Sequence, residues 1–185
     1  MIHTKKYNCI FLDRDGTLNP DPGYISSISD FKFYDFTLKS LSKISSRGSV
    51  FCIISNQSGV GRGLIKIENL EEINEYIKKE FRRHSINLLD IYFCGDHPRK
   101  ATNRRKPGLG MFYEAKKDHG LVLSKSLMVG DSMIDIVCGH KLKMDTMLVL
   151  TGNGVSALND LPEKFKPTYV VSNLKEGSEL LCLLK

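Results

Sequence analysis

Cys9-Ile10-Phe11-Leu12-Asp13-Arg14-Asp15-Gly16-Thr17-Leu18 is the stretch that decides how the rest of the chain is read. An apolar run, Cys9 to Leu12, ends abruptly in two carboxylates separated by one residue. A buried strand that stops at acidic residues and then turns is how an open α/β sheet presents its chemistry, at the carboxyl end of a strand. Both carboxylates reach one pocket only if the backbone leaves the extended state there, and Gly16 supplies the turn. If the strand continued, Arg14 would point away from both, and a structural ion pair and a catalytic role stay equally open for it. Taken alone, Asp-x-Asp-Gly is also an ordinary turn or helix-cap pattern.

Outward from this stretch, strand-like and helix-like segments alternate. The expected strands are 8–12, 50–54, 91–94, 127–129 and 146–150, with 169–171 as an edge strand. Helical spacing marks 36–47, 67–84, 109–119, 134–143 and 174–184. Residues 19–30, with Pro20, Pro22 and Gly23, read as loop or flap, and 151–167 as turn-rich. The pattern predicts a three-layer, Rossmann-like doubly wound parallel sheet with helices on both faces. No insertion is long enough for a separate cap, so residues 1–185 are expected to form one domain.

Each expected strand end carries polar groups: Asp13 and Asp15, then Ser55-Asn56-Gln57, then Arg105-Lys106 past the third strand, then Asp131 with Asp135. Three carboxylates together repel unless a cation neutralises them, and hard oxygen ligands suit Mg²⁺. A hydroxyl, an amide and a lysine beside such a cation form a seat for phosphate. Alone, Ser55-Asn56 reads as a turn or cap and Lys106 as a solvated cation; their order along one sheet edge is what favours a site.

The composition fits a soluble globular protein, with 41% hydrophobic and 26% charged residues in a chain of 185. No apolar stretch approaches a membrane span, and Met1 to Lys6 lack the apolar core of a secretory leader. The expected location is the cytoplasm. Five scattered cysteines form no disulfide pattern. The net charge of +6 is partly concentrated at Lys78, Lys79, Arg82 and Arg83 and between Arg99 and Lys106. Such a balance suits a phosphorylated small molecule as well as nucleic acid. The basic loop has no interleaved aromatic residues, which disfavours nucleic acid.

These stretches resemble the haloacid dehalogenase superfamily of phosphotransferases. Its four motifs appear in order as Asp13-Arg14-Asp15-Gly16-Thr17, Ser55, Lys106 and Gly130-Asp131-Ser132-Met133-Ile134-Asp135. Asp21-Pro22-Gly23-Tyr24, Ser55 through Gly63 and Arg105-Lys106-Pro107-Gly108 are similar to the capless branch of histidinol-phosphate and heptose-bisphosphate phosphatases, and look closer to the latter. The resemblance implies a Mg²⁺-dependent, monomeric phosphatase that cleaves the 7-phosphate of D-glycero-D-manno-heptose 1,7-bisphosphate in nucleotide-activated heptose supply, with no nucleic-acid or membrane partner. Asp13 would be the nucleophile and Asp15 the general acid and base. Ser55 and Lys106 would hold the phosphoryl group. Asp13, the Asp15 carbonyl and Asp131 would hold the metal, with Asp135 behind them. Asp21, Gly23, Tyr24, Asn56, Gln57, Ser58 and Arg105 would meet the sugar or its second phosphate. Histidinol phosphate, a nucleic-acid end, and non-catalytic phosphate binding are the alternatives.

Two departures from the branch stand out. Relatives often hold zinc in the loop after the third strand with four Cys or His residues. Here Cys94 remains, but Asp96 stands at the His position, with His97 one step along, and Thr102 and Arg104 replace the downstream pair, so no zinc is expected. Ser132 stands where the heptose enzymes usually carry Lys.

Overall fold

The computed structural model describes residues 7–184. The leader reading of Met1 to Lys6 lies outside the described residues.

Six parallel strands form one sheet: β1 (Ile10–Leu12), β2 (Phe51–Asn56), β3 (Leu88–Cys94), β4 (Leu127–Gly130), β5 (Asp145–Val149) and β6 (Tyr169–Val171). Their order is β3-β2-β1-β4-β5-β6. β1 sits at the centre, with Leu12 beside Ile53 on one side and Val129 on the other. Both faces of β1 are covered, which is why its sequence is an unbroken apolar run. Strand order reverses between β1 and β4, and the crevice at such a reversal is where open α/β sheets bind ligands.

Alternation along the strands sorts side chains into two cores. Ile10, Leu12, Ile53 and Val129 pack with Leu41 and Ile44 of α1 (Thr37–Ser45), Ile73, Ile77 and Phe81 of α3 (Ile67–Arg83), and Leu174 of α7 (Leu174–Leu183). On the other face Phe11, Cys52, Ile54 and Met128 meet Met111, Phe112 and Ala115 of α4 (Gly110–His119) and Cys138 of α5 (Met133–Lys141). The three-layer expectation therefore holds. No helix among the described residues is long and apolar enough to cross a membrane.

Several boundaries differ from the sequence expectation. A single helical turn, α2 (Ser58–Gly61), follows β2, and β3 starts at Leu88 because Leu88 and Asp90 already pair with Phe51 and Cys52. The stretch expected to be turn-rich contains α6 (Gly154–Asp160). Gly154, a breaker by propensity, is required there because a Cβ would stand 1.9 Å from the Val149 carbonyl.

Close helix–sheet packing has a measurable consequence at Gly139. A Cβ there would lie 2.3 Å from the Thr146 methyl, which is fully buried. Gly139→Ala is expected to cost about 1–3 kcal/mol by overpacking α5 against β5, read as a lower urea midpoint at unchanged m-value.

Candidate active site

β1 ends at Leu12, and the Asp13 N–H still donates to the Val129 carbonyl at 2.9 Å, so Asp13 is fixed at the sheet edge. The chain then turns through Gly16, with φ of +83°, and the Gly16 N–H donates to the Asn19 carbonyl at 2.7 Å. Ser55 comes from the end of β2, Lys106 from the loop after β3, and Asp131 from the residue after β4. Asp13, Asp15, Ser55, Lys106 and Asp131 line one cavity of about 400 Å³, within the usual size of small-molecule sites.

Lys106 is the electrostatic centre. It is 3% exposed. Its Nζ donates to Asp13 Oδ1 at 2.6 Å, Asp135 Oδ1 at 2.6 Å and the Ile54 carbonyl at 2.8 Å, which uses all three hydrogens. The other Asp135 oxygen accepts from the Ser132 hydroxyl and from the Ser132 N–H at 3.3 Å, closing a capping box on α5. Ser132 is thus the N-cap of this helix and also lines the cavity. Lys106 is held by its main chain as well. Its N–H donates to Asn56 Oδ1 and its carbonyl accepts from Asn56 Nδ2, both at 3.0 Å.

Asp131 lies between two glycines. A Cβ on Gly16 would stand 2.1 Å from Asp131 Oδ2, and one on Gly152 2.2 Å from it. That oxygen accepts from the Asn153 N–H at 2.8 Å and from Asn153 Nδ2 at 3.3 Å.

The turn also brings Arg14 round to Asp15. β1 does not continue past Leu12, so Arg14 does not point away; its Nε and Nη2 fork onto the two Asp15 oxygens at 3.0 and 2.8 Å. Gln57 Nε2 donates to Asp15 Oδ2 at 2.7 Å and to Ser55 Oγ at 2.7 Å, while Gln57 Oε1 accepts from Arg14 Nη2 at 2.9 Å.

Of the expected sugar contacts, Asp21, Gly23, Tyr24 and Ser58 line the cavity. Asn56 and Gln57 line it too, but their amides are engaged with protein. Arg105 is half-buried and is not among the lining residues; its Nη1 is buried without a partner. Asn153 and Ile65 join the wall unannounced by any motif, and Gly59 and Ile134 join it from inside the quoted motifs without having been singled out. For Asn153 the available signal was its place after the fifth strand, where a Gly-Asn-Gly turn meets the same sheet edge. In the loop after β3, Asp96 Oδ2 accepts from the Thr102 N–H and hydroxyl, both at 2.7 Å, and Arg104 forks onto Glu114 at 2.8 Å.

Residues 103–177 match a family model described as HAD-hydrolase-like. The D-glycero-beta-D-manno-heptose-1,7-bisphosphate 7-phosphatase of Helicobacter pylori strain J99 is 36% identical over 154 residues, covering 83% of this chain and 87% of that protein. The protein of the same name from Pasteurella multocida is 31% identical over 183 residues, covering 95% and 97%. The chain belongs to this HAD phosphatase family. The crystal structure of a D,D-heptose 1,7-bisphosphate phosphatase from B. bronchiseptica, complexed with magnesium and phosphate, superposes with a TM-score of 0.87 at 27% identity, covering 96% of this chain and 99% of that one. As a family member the chain is a phosphoric monoester hydrolase; magnesium is the cation held by the B. bronchiseptica protein.

The residues present fit that cation. One oxygen from each of Asp13, Asp131 and Asp135 lies within 4.8 Å of the others. Asp135 is committed to Lys106 and Ser132, whereas Asp131 Oδ1 accepts no hydrogen bond from another described residue and Asp13 Oδ1 accepts only that of Lys106, which leaves both oxygens a lone pair for the cation. The three carboxylates against one ammonium leave two negative charges, which a divalent ion balances.

Electrostatics follow from burial. Desolvation pushes the Asp13 carboxyl well above the ordinary range; Lys106 pulls it back, and the charges of Asp135 and Asp131 add to the rise. Asp131 is pushed up to about 6 by burial, opposed by the Asn153 N–H and reinforced by Asp135. Burial alone would lower Lys106, but Asp13 and Asp135 outweigh it and hold the ammonium above its usual range.

Two outcomes follow. The Asp131 carboxyl, raised in the folded state, stabilises the metal-free protein at acid pH, and that contribution is lost as pH rises through about 6. The cation takes the deprotonated form, so Mg²⁺ should raise Tm more at neutral pH than below Asp131's value. Its apparent Kd should weaken by about tenfold per pH unit there, measured by calorimetric titration. Lys106→Met strands two carboxylates in the interior and is expected to cost about 3–5 kcal/mol in denaturant unfolding.

Proposed function

We propose that the chain hydrolyses the 7-phosphate of D-glycero-D-manno-heptose 1,7-bisphosphate, leaving the 1-phosphate in place, and that residues 1–185 act as a single catalytic unit. The observation that carries the chemistry is Asp13: a carboxylate at the strand end, fixed by Lys106 through one oxygen, with its second oxygen free at the cavity. The relatives' names support the choice of sugar.

In this reading the free Asp13 oxygen bonds to phosphorus while the ester P–O bond breaks. The leaving sugar oxygen keeps that electron pair and takes a proton from Asp15. The product is an aspartyl-phosphate on Asp13. Water then attacks phosphorus, gives its proton to Asp15, and releases phosphate with the Asp13 carboxylate restored. Asp13 and Asp131, with the Asp15 carbonyl, would hold Mg²⁺, which supplies positive charge for the phosphoryl oxygens when bound. The Ser55 hydroxyl and the Lys106 ammonium face the same group, whose transition state spreads negative charge over its oxygens. For Lys106 this requires giving up one of three existing bonds. Asp21, Gly23, Tyr24 and Ser58 form the sugar side of the cavity.

Both anomers of the heptose bisphosphate should be turned over, with the remaining phosphate at C1 by mass spectrometry and kcat/KM at least about tenfold above that for histidinol phosphate. Preference for histidinol phosphate rejects the substrate. Asp13→Asn should lower kcat by about a thousandfold or more; activity retained in that variant rejects the nucleophile.

A further inference from the structure

Gln57 follows the phosphate-holding Ser55 by two residues and is 4% exposed. Its amide has one chemically allowed orientation. Arg14 is donor-only, so Oε1 faces Nη2; Asp15 as a carboxylate is acceptor-only, so Nε2 faces Oδ2. The second Nε2 hydrogen goes to Ser55 Oγ at 2.7 Å. Since Ser55 Oγ accepts there, its own hydrogen is released from that contact and turns to the cavity, where a phosphoryl oxygen would receive it.

The Asp15 carboxylate meets four donors in all: the Arg14 fork, Gln57, and Asn19 Nδ2 at 2.9 Å. Arg14 is 1% exposed and lies 5.9 Å over the Phe31 ring, so it cannot withdraw. Asn19 also holds the Pro20 carbonyl at 2.7 Å. Gln57 alone joins this clamp to a group that touches the reacting phosphate.

We propose that Gln57 is a positioning residue for proton transfer: oriented by Arg14, it sets Asp15 at the cavity edge and aims the Ser55 hydroxyl at the phosphoryl group, and one of the four donors around Asp15 gives way when Asp15 carries the proton it transfers. The inference rests on the acid role given to Asp15 above. It differs from a sugar contact, because it acts through two other side chains and makes no demand on the sugar.

The test uses substrates without a sugar. Phenyl phosphate leaves as a strongly basic oxygen and needs a proton; p-nitrophenyl phosphate leaves as a much weaker base and does not. The kcat/KM of each reports the steps up to leaving-group departure. Asp15→Asn should raise the ratio of p-nitrophenyl to phenyl phosphate kcat/KM by about a hundredfold. Gln57→Met, of similar length without a donor, should raise it by at least about tenfold. Gln57→Leu, shorter and also without a donor, should raise the ratio similarly, and it keeps the test open if the Met variant folds poorly. A ratio unchanged in both Gln57 variants, with equal losses on both substrates, overturns the positioning role and leaves Gln57 as packing. A ratio unchanged in Asp15→Asn overturns the acid assignment itself, and the role of Gln57 falls with it.

Discussion

A single ammonium group, Lys106 Nζ, is buried between two carboxylates and a carbonyl, and the site is arranged around the cost of keeping it there. Removing an ammonium from water costs several kcal/mol unless it is paired and fully hydrogen-bonded. Asp13 and Asp135 at 2.6 Å and the Ile54 carbonyl at 2.8 Å meet that condition. The same pairing fixes the proposed nucleophile, because the oxygen of Asp13 that Lys106 takes determines which one stays free. It also leaves the site with an excess of negative charge, which is why an anionic substrate needs a divalent cation there before it can enter. Asp135, behind the lysine, is tied in turn to the start of α5 through Ser132, so the charge balance is anchored in a helix terminus.

Three consecutive residues at the end of β2 divide the work. Ser55 lines the cavity. Asn56 holds the main chain of Lys106, and Gln57 holds Asp15 and Ser55. A side chain beside a substrate cavity need not touch substrate; buried amides are costly unless each donor and acceptor is used, and here protein partners use them.

The layout of the fold was legible because local pattern carried it. Cys9 to Leu12, apolar on both faces, could only be an interior strand, and Leu70, Ile73, Ile77 and Phe81 fall on one side of α3. The chemistry-bearing positions Asp13, Asp15, Ser55, Lys106 and Asp131 were legible by residue type at strand ends, and one cavity gathers all five. What escaped depends on long-range partners or on where a strand stops. Arg14 was placed by assuming extended backbone past Leu12, and one turn reversed it. Asn56 and Gln57 looked like sugar contacts because nothing near them shows that Lys106, 50 residues on, and Asp15, 42 residues back, already occupy their amides. The helix at Gly154 was hidden by a residue chosen for its fit against Val149 rather than for helix propensity.

The grip of Asn56 on Lys106 acts through peptide groups alone. Such a hold is indifferent to the side chains that precede the lysine. The segment from Gly95 to Arg105 is stitched instead by Asp96 with Thr102 and by Arg104 with Glu114. Evolution is therefore free to exchange one kind of loop scaffolding for another, or to recut the loop for a different substrate, while the reactive end of the lysine keeps its address.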